Sequence, residues 1–332
     1  MGCSLVVARR FGRPAGRRLL AATGLRVSLG LLFPGQGTQH AGLLPWLEAT
    51  PAAQPWLAEL AQRLGADWRA RLADADWAAS VEVGQVLVSG VSLAAWAALQ
   101  PLLPAPAAVL GYSVGELAAF CVAGVLPPGQ VLALAARRAA AMASASAEPL
   151  GLLAVQGRPL DELIAWAATW GLAPAILLEA DQLLLGGPRV SLAAAQAQGE
   201  AQGLRCTPIA APVASHTAWM QPAQAVWRAA LQDLTLSRPR LGLISNAEAE
   251  PVFTADGARE ALVRQIAQPI VWPRCMDALA ERGVRAVLEV GPGQTLARLW
   301  ARRHPQIPVR SVDEFGSPEG VAAWMAARLA SR

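Results

Sequence analysis

An α/β fold with a small ferredoxin-like subdomain inserted in it is what this sequence predicts, and three observations carry the prediction. Short apolar runs that suit buried strands, such as 27–33 and 107–110, alternate with longer stretches of helical periodicity. Gly111-Tyr112-Ser113-Val114-Gly115 joins one such run to a helical stretch over 116–126, the strand–turn–helix setting of a nucleophile elbow. Residues 149–212 follow a β-α-β-β-α-β rhythm of their own.

Composition sets the limits. The chain has 332 residues, 54% of them hydrophobic and 16% charged, enough for a large core divided between a main body and an insert. No apolar run reaches the roughly 18 uninterrupted residues of a membrane span, so no membrane association is expected. All 28 basic residues are arginine, and the net charge is +4. That balance favours an acidic or phosphate-bearing partner. No compact basic run is interleaved with aromatics, so no nucleic-acid partner is expected. Cys3, Cys121, Cys206 and Cys275 are far apart and form no C-x-x-C pair. That spacing predicts neither a metal site nor a disulfide framework, and it suits the reducing cytoplasm.

Residues 1–24 are basic and patternless, with Arg9, Arg10, Arg13, Arg17 and Arg18, and are read as a disordered N-terminal extension. They lack the apolar stretch and cleavage site of a signal peptide, and position 6 lacks the Ser or Thr of a myristoylation pattern. Structure is expected from residue 25, and the first strand, 27–33, ends in Pro34-Gly35-Gln36-Gly37-Thr38-Gln39. This glycine-rich loop is not G-x-G-x-x-G, and no lysine exists to complete a P-loop. It reads instead as a tight loop that aims an amide or backbone donors into a site. Residues 43–100 are mostly helical by pattern, with Trp46, Trp56, Trp68, Trp77 and Trp96 as packing residues.

At the elbow the turn is tight enough to demand nearly side-chain-free flanks, which accounts for Gly111 and Gly115. Ser113 would project its hydroxyl from the corner, with the Val114 N–H facing developing negative charge. A helix over 130–142 carries Arg137 and Arg138, about 100° apart, so that one can face solvent and the other the interior. In the insert, apolar runs at 150–155, 175–178 and 183–185 alternate with helical stretches at 160–170 and 191–203. The main body then resumes with Ser215-His216 and a helix to about residue 231. Strands follow at 241–245 and 284–290, with helices at 275–282 and from 294 onward. Gly291-Pro292-Gly293 reads as a tight turn after a parallel strand. Only three histidines exist: His40 is read as a loop surface residue, His304 as part of an exposed turn, and His216 as the best base if Ser113 needs an imidazole.

Taken together, these segments resemble the malonyl-CoA:acyl-carrier-protein transacylase family. The residues that carry the resemblance are Phe33-Pro34-Gly35-Gln36-Gly37-Thr38-Gln39, Gly111-Tyr112-Ser113-Val114-Gly115-Glu116, and Arg138 with Met142. Ser215-His216 with Met220, Gln265-Ile266 before Pro269 and Trp272, and Glu289-Val290-Gly291-Pro292-Gly293 complete the set. They occur in consistent order from about residue 31 to 300, which is far more specific than any single motif.

The resemblance implies an α/β-hydrolase-like core over 25–148 and 213–332, with the ferredoxin-like subdomain at 149–212. It implies Ser113 as nucleophile, His216 as general base and the backbone carbonyl of Gln265 as the group that orients the imidazole. The Val114 N–H and the Gln36 region would form the oxyanion hole. Arg138 would bind the free carboxylate of a malonyl group and so select malonyl over acetyl. No cofactor or metal is implied: malonyl-CoA is the substrate, and the acceptor is the phosphopantetheine-type thiol of a small acyl carrier protein. Gly-Tyr-Ser-Val-Gly-Glu-Leu-Ala-Ala looks most like the malonyl transferase (epsilon) subunit of malonate decarboxylase, which makes other decarboxylase subunits expected partners. The alternatives are the same transfer in fatty acid or polyketide synthesis, a serine thioesterase, and a non-catalytic docking subunit. The departures are Tyr112, where many transacylases of fatty acid synthesis carry His, and a 179–187 stretch without their Asn-containing pattern.

Overall fold

The computed structural model describes residues 28–330, so the extension expected over 1–24 lies outside the described residues. The chain opens with β1 (Leu29–Phe33), every residue of which is buried. It passes through α1 (Gln54–Leu64), α2 (Trp68–Arg71), α3 (Ala75–Ala79) and α4 (Val81–Leu99) to β2 (Pro106–Gly111), then α5 (Gly115–Val122) and α6 (Val131–Ala143). The middle of the chain forms β3 (Leu150–Gln156), α7 (Leu160–Ala168), β4 (Ala173–Glu179), β5 (Gln182–Pro188), α8 (Arg189–Ala201) and β6 (Arg205–Ile209). The remainder forms α9 (Gln221–Gln232), β7 (Gly242–Ile244), α10 (Ala255–Arg264), β8 (Ile270–Val271) and α11 (Trp272–Ala280). It ends with β9 (Ala286–Glu289), α12 (Thr295–Arg303), β10 (Val309–Ser311) and α13 (Pro318–Ala330).

Two five-stranded sheets result. The first has the order β10-β9-β1-β2-β7, and all of its pairs are parallel. Its inner strands β1 and β2 are continuous apolar runs because helices cover both faces. The second has the order β6-β3-β5-β4-β8 and is antiparallel except for β8. The short β8 comes from the far side of the chain and pairs parallel with β4, Ile176 opposite Ile270. That pairing joins the middle segment to the segment carrying Gln265.

The helix α4 is long and apolar enough to cross a membrane by length and composition, yet 89% of that stretch is buried inside the fold. It is a core helix, apolar nearly all round. Trp46, Trp68 and Trp96 are buried, and Trp56 and Trp77 pack against the same core.

Several elements are not legible in the hydrophobic pattern. The strand β6 is the outer strand of its sheet, with the mostly exposed sequence Arg-Cys-Thr-Pro-Ile. The helix α10 begins on polar residues and is announced only by Thr254, whose side chain accepts from the Gly257 N–H. The helix expected at 275–282 starts at Trp272, because Pro273 fits a first helical turn. His304 is not in an exposed turn. Its side chain is only 12% exposed and lies against Trp300 at 4.7 Å and Asp277 at 3.2 Å, held there as the residue that ends α12.

Candidate active site

The site is built at the carboxyl end of β2, next to the central strand of the parallel sheet. Ser113 has φ +54°, a left-handed conformation that costs energy in any residue with a Cβ. A Cβ on Gly111 would lie 2.2 Å from the Gly115 and Glu116 backbone, and one on Gly115 would lie 2.2 Å from the Phe33 carbonyl oxygen. These obstacles are main chain and cannot move aside, so both flanks must be glycine. Side chains from distant loops satisfy the corner's own polar groups. The Ser113 N–H donates to Asn246 Oδ1 at 2.8 Å, and Gln265 Nε2 donates to the Ser113 carbonyl at 2.6 Å.

His216 comes from the loop between β6 and α9 and is fully buried, with φ +64°. Its backbone N–H donates to the Ile266 carbonyl at 2.9 Å. Its Nδ1 lies 2.6 Å from the Gln265 carbonyl oxygen, which can only accept, so the ring proton sits on Nδ1. The Nε2 lone pair then faces Ser113 Oγ at 2.8 Å. Burial pushes the His216 pKa down to about 3; the Arg138 charge pushes the same way, and the Gln265 carbonyl opposes them. The imidazole is therefore neutral at physiological pH, the form that can take a proton from the serine hydroxyl.

Arg138 is 2% exposed, whereas Arg137 faces solvent, so the inward member of the arginine pair is Arg138. Arg138 Nη1 donates to Gln85 Oε1 and Nη2 to Gln265 Oε1, both at 2.7 Å. Both acceptors are neutral amides, and among the described residues it forms no ion pair. Burial lowers its pKa to about 10, and nearby Glu116 opposes the shift. A buried guanidinium held by neutral acceptors beside a serine–histidine pair is suited to an anionic ligand.

The structure thus brings Ser113, Val114, His216, Arg138 and Gln265 together. Gln36 behaves differently: its side-chain amide donates to the Ala79 and Ser80 carbonyls at 3.0 and 3.3 Å, at the start of α4. Only its main chain is left to serve a site. The backbone N–H groups of Gln36 and Val114 donate to no protein acceptor among the described residues.

The sequence assigns no role to three supporting residues, of which only Glu116 stands in a motif, the one around Ser113. Gln85 lies on α4, Asn246 follows β7, and Glu116 opens α5. Gln85 and Glu116 are buried polar residues in apolar segments, which is the signal that could have marked them, whereas Asn246 stands in the polar stretch Ser-Asn-Ala-Glu-Ala-Glu and carries no such signal. Glu116 Oε1 accepts from the Asn246 N–H at 2.5 Å and Oε2 from Gln265 Nε2 at 2.8 Å. Burial raises its carboxyl to about 8, against the pull of Asn246, Gln265 and Arg138.

Residues 31–314 match the acyl transferase domain family. The malonyl CoA-acyl carrier protein transacylase of Mycobacterium tuberculosis is 34% identical over 292 residues, 86% of this chain and 96% of that protein. The chain belongs to the malonyl-CoA:acyl-carrier-protein transacylase family. An acyl-carrier-protein S-malonyltransferase from Burkholderia pseudomallei superposes with a TM-score of 0.83 at 26% identity, covering 90% of this chain and all (100%) of that one. A malonyl transacylase solved in complex with its type II polyketide-synthase acyl carrier protein superposes at 0.81 and 26% identity, over 92% of this chain and 100% of that one. The family's α/β architecture therefore extends over nearly all of the described residues.

Proposed function

We propose that this protein transfers malonyl from malonyl-CoA, through an ester on Ser113, to the prosthetic-group thiol of an acyl carrier protein. One observation carries the reading: a buried Arg138 without a carboxylate partner shares Gln265 with the Ser113–His216 pair. A generic esterase has no use for such a cation, whereas a malonyl thioester brings the carboxylate it lacks.

The mechanism follows from the geometry. Arg138 grips the malonyl carboxylate and holds the thioester carbonyl over Ser113. Ser113 Oγ attacks that carbon as its proton passes to His216 Nε2. The main-chain N–H groups of Val114 and Gln36 receive the oxyanion, an interaction worth about 10²–10³ in rate per donor. The C–S bond breaks, and the coenzyme A thiolate takes the proton from His216. The carrier thiol then gives its proton to Nε2 and attacks the malonyl ester, and Ser113 Oγ leaves with that proton. Because the Gln265 carbonyl is neutral, it orients the ring without placing a fixed charge beside it.

The same reading assigns 25–148 and 213–332 to an α/β-hydrolase-like core and 149–212 to a ferredoxin-like subdomain. Its support is the order β6-β3-β5-β4 of the middle strands and the all-parallel first sheet. The unpaired Cys121, Cys206 and Cys275 suit the cytoplasm. For the carrier, Tyr112 and the Gly-Tyr-Ser-Val-Gly-Glu-Leu-Ala-Ala stretch favour malonate decarboxylase. The names of the relatives favour instead the carrier proteins of fatty acid or polyketide synthesis.

The test is intact-protein mass after brief mixing with malonyl-CoA, in parallel with acetyl-CoA and with Ser113→Ala. A malonyl adduct on the unaltered protein alone, discharged by the right carrier protein, is the expected result. Free malonate without a transferable adduct would establish a thioesterase instead.

A further inference from the structure

Glu116 takes no part in the chemistry above, yet it sits at the centre of the site's hydrogen bonds. It is fully buried on the first turn of α5, three residues beyond Ser113. One oxygen accepts from the Asn246 backbone N–H, and the other accepts from Gln265 Nε2. The Asn246 donor is main chain and fixed. The Gln265 donor belongs to an amide that could be turned either way.

The direction of that amide decides the rest. With Nε2 toward Glu116, it also donates to the Ser113 carbonyl, and Oε1 is left to accept from Arg138 Nη2. Turned over, the amide would place two donors against each other at Arg138 and leave the Ser113 carbonyl unserved. In its ionised form, reached above about pH 8, the carboxyl only accepts and so permits one orientation. Among the described residues Glu116 is also the acidic group that acts on the Arg138 guanidinium, without pairing with it.

We propose that Glu116 is a positioning residue: in its ionised, acceptor-only form it fixes the Gln265 amide, and through that amide it holds Arg138 in register with Ser113 to receive the malonyl carboxylate. The inference rests on the reading of Arg138 as the carboxylate-binding residue. Glu116 touches neither the substrate nor the reacting atoms and acts wholly through Gln265, Asn246 and its charge.

The replacement Glu116→Gln keeps the shape and exchanges one acceptor for a donor. Its oxygen can still serve Asn246, so its nitrogen faces Gln265 and forces the amide over. Glu116→Asp keeps the acceptor-only character on a shorter stem. The experiment is acyl-enzyme formation, followed by intact mass at about pH 9, where Glu116 is ionised, with malonyl-CoA and acetyl-CoA compared for each protein. In Glu116→Gln the malonyl-to-acetyl rate ratio is expected to fall by about 30-fold or more, the scale of a lost charge-assisted hydrogen bond. In Glu116→Asp the ratio should stay within about threefold of the unaltered protein, even if both rates drop.

A purely structural role would lower both substrates equally. An equal drop in Glu116→Gln, an unchanged ratio there, or the same loss of ratio in both variants would overturn the proposal. Should Glu116→Gln fail to fold, Gln265→Leu decides: it removes the amide but not the carboxylate, and an unchanged ratio overturns the proposal. If the unaltered protein itself shows no malonyl preference, the assignment of Arg138 fails first, and this inference falls with it. A preserved preference with an unmoved variant ratio sinks only the role of Glu116.

Discussion

Ser113 Oγ and His216 Nε2 lie 2.8 Å apart, and both residues hold left-handed backbone, at φ +54° and +64°. Neither is glycine, so each conformation costs of order 1–3 kcal/mol and persists only because the surroundings over-determine it. At Ser113 the restraint is Asn246 and Gln265; at His216 it is the pair of carbonyls of Gln265 and Ile266. The two strained corners aim their side chains at each other.

Relieving one corner should therefore stabilise the protein while abolishing its chemistry. Ser113→Gly is expected to raise stability by about 1 kcal/mol, because glycine adopts positive φ freely. Ser113→Ala keeps the strained Cβ and should gain nothing. Urea denaturation of the two variants checks the difference, and neither should form an acyl adduct.

Arg138→Ala removes the buried cation and leaves the oxygens of Gln85 and Gln265 without their donor. Loss of a charge-assisted grip is worth about 2–5 kcal/mol, so acylation by malonyl-CoA should fall by at least about 30-fold. Acylation by acetyl-CoA, which carries no carboxylate for Arg138, should change by less than about tenfold. Single-turnover rates with both thioesters measure this. Retention of the malonyl preference would show that another residue selects the acyl group.

Asn246 should behave differently. It accepts from the Ser113 N–H and donates to the Gly111 carbonyl at 2.5 Å, so it braces the elbow without reaching Arg138. Asn246→Ala strands two backbone groups, at about 1–3 kcal/mol each. Stability should fall, and the malonyl and acetyl rates should fall in equal proportion. A change confined to malonyl would contradict this role.

The dependence of stability on pH has two limbs of opposite sign. Burial lowers the His216 pKa to about 3 from 6.5, so the unfolded chain binds the extra proton, and stability is lost as pH falls from about 6.5 toward 3. Burial raises Glu116 and Glu289 to about 8 from 4.5, so their contribution is present below about pH 4.5 and is lost as pH rises through 8. Glu289 accepts from the Leu296 and Ala297 N–H groups at the start of α12. Between about pH 4.5 and 6.5 the two falling carboxyl contributions outweigh the one rising with His216, so denaturation midpoints should be highest near about pH 4.5, and Glu289→Gln should flatten the alkaline limb. A midpoint still rising between pH 7 and 9 would refute the assignment.

The Gly111–Gly115 corner, the helix carrying Arg138 and most of the strands were legible in the sequence because each is a local pattern. A pair of glycines, a 3.6-residue period or a run of apolar residues declares itself within a few positions. Such patterns could not place β6, an exposed outer strand, or α10, whose opening is polar. They also could not show that the Gln36 amide turns toward α4 or that His304 is sheltered beside Trp300.

By itself, then, the sequence determined that a serine sits on a glycine-flanked turn, that few histidines could serve it, and that an α/β fold carries them. The tertiary structure alone decided what joins them. Residues 113, 138, 216 and 265 meet through bonds that span 49 to 152 positions. Glu116, Asn246 and Gln85 acquire meaning only as their partners in the dry interior. The physical reason is that an unpaired polar group is cheap in solvent and costly when buried, so partners are assigned only where the chain, once packed, has excluded water.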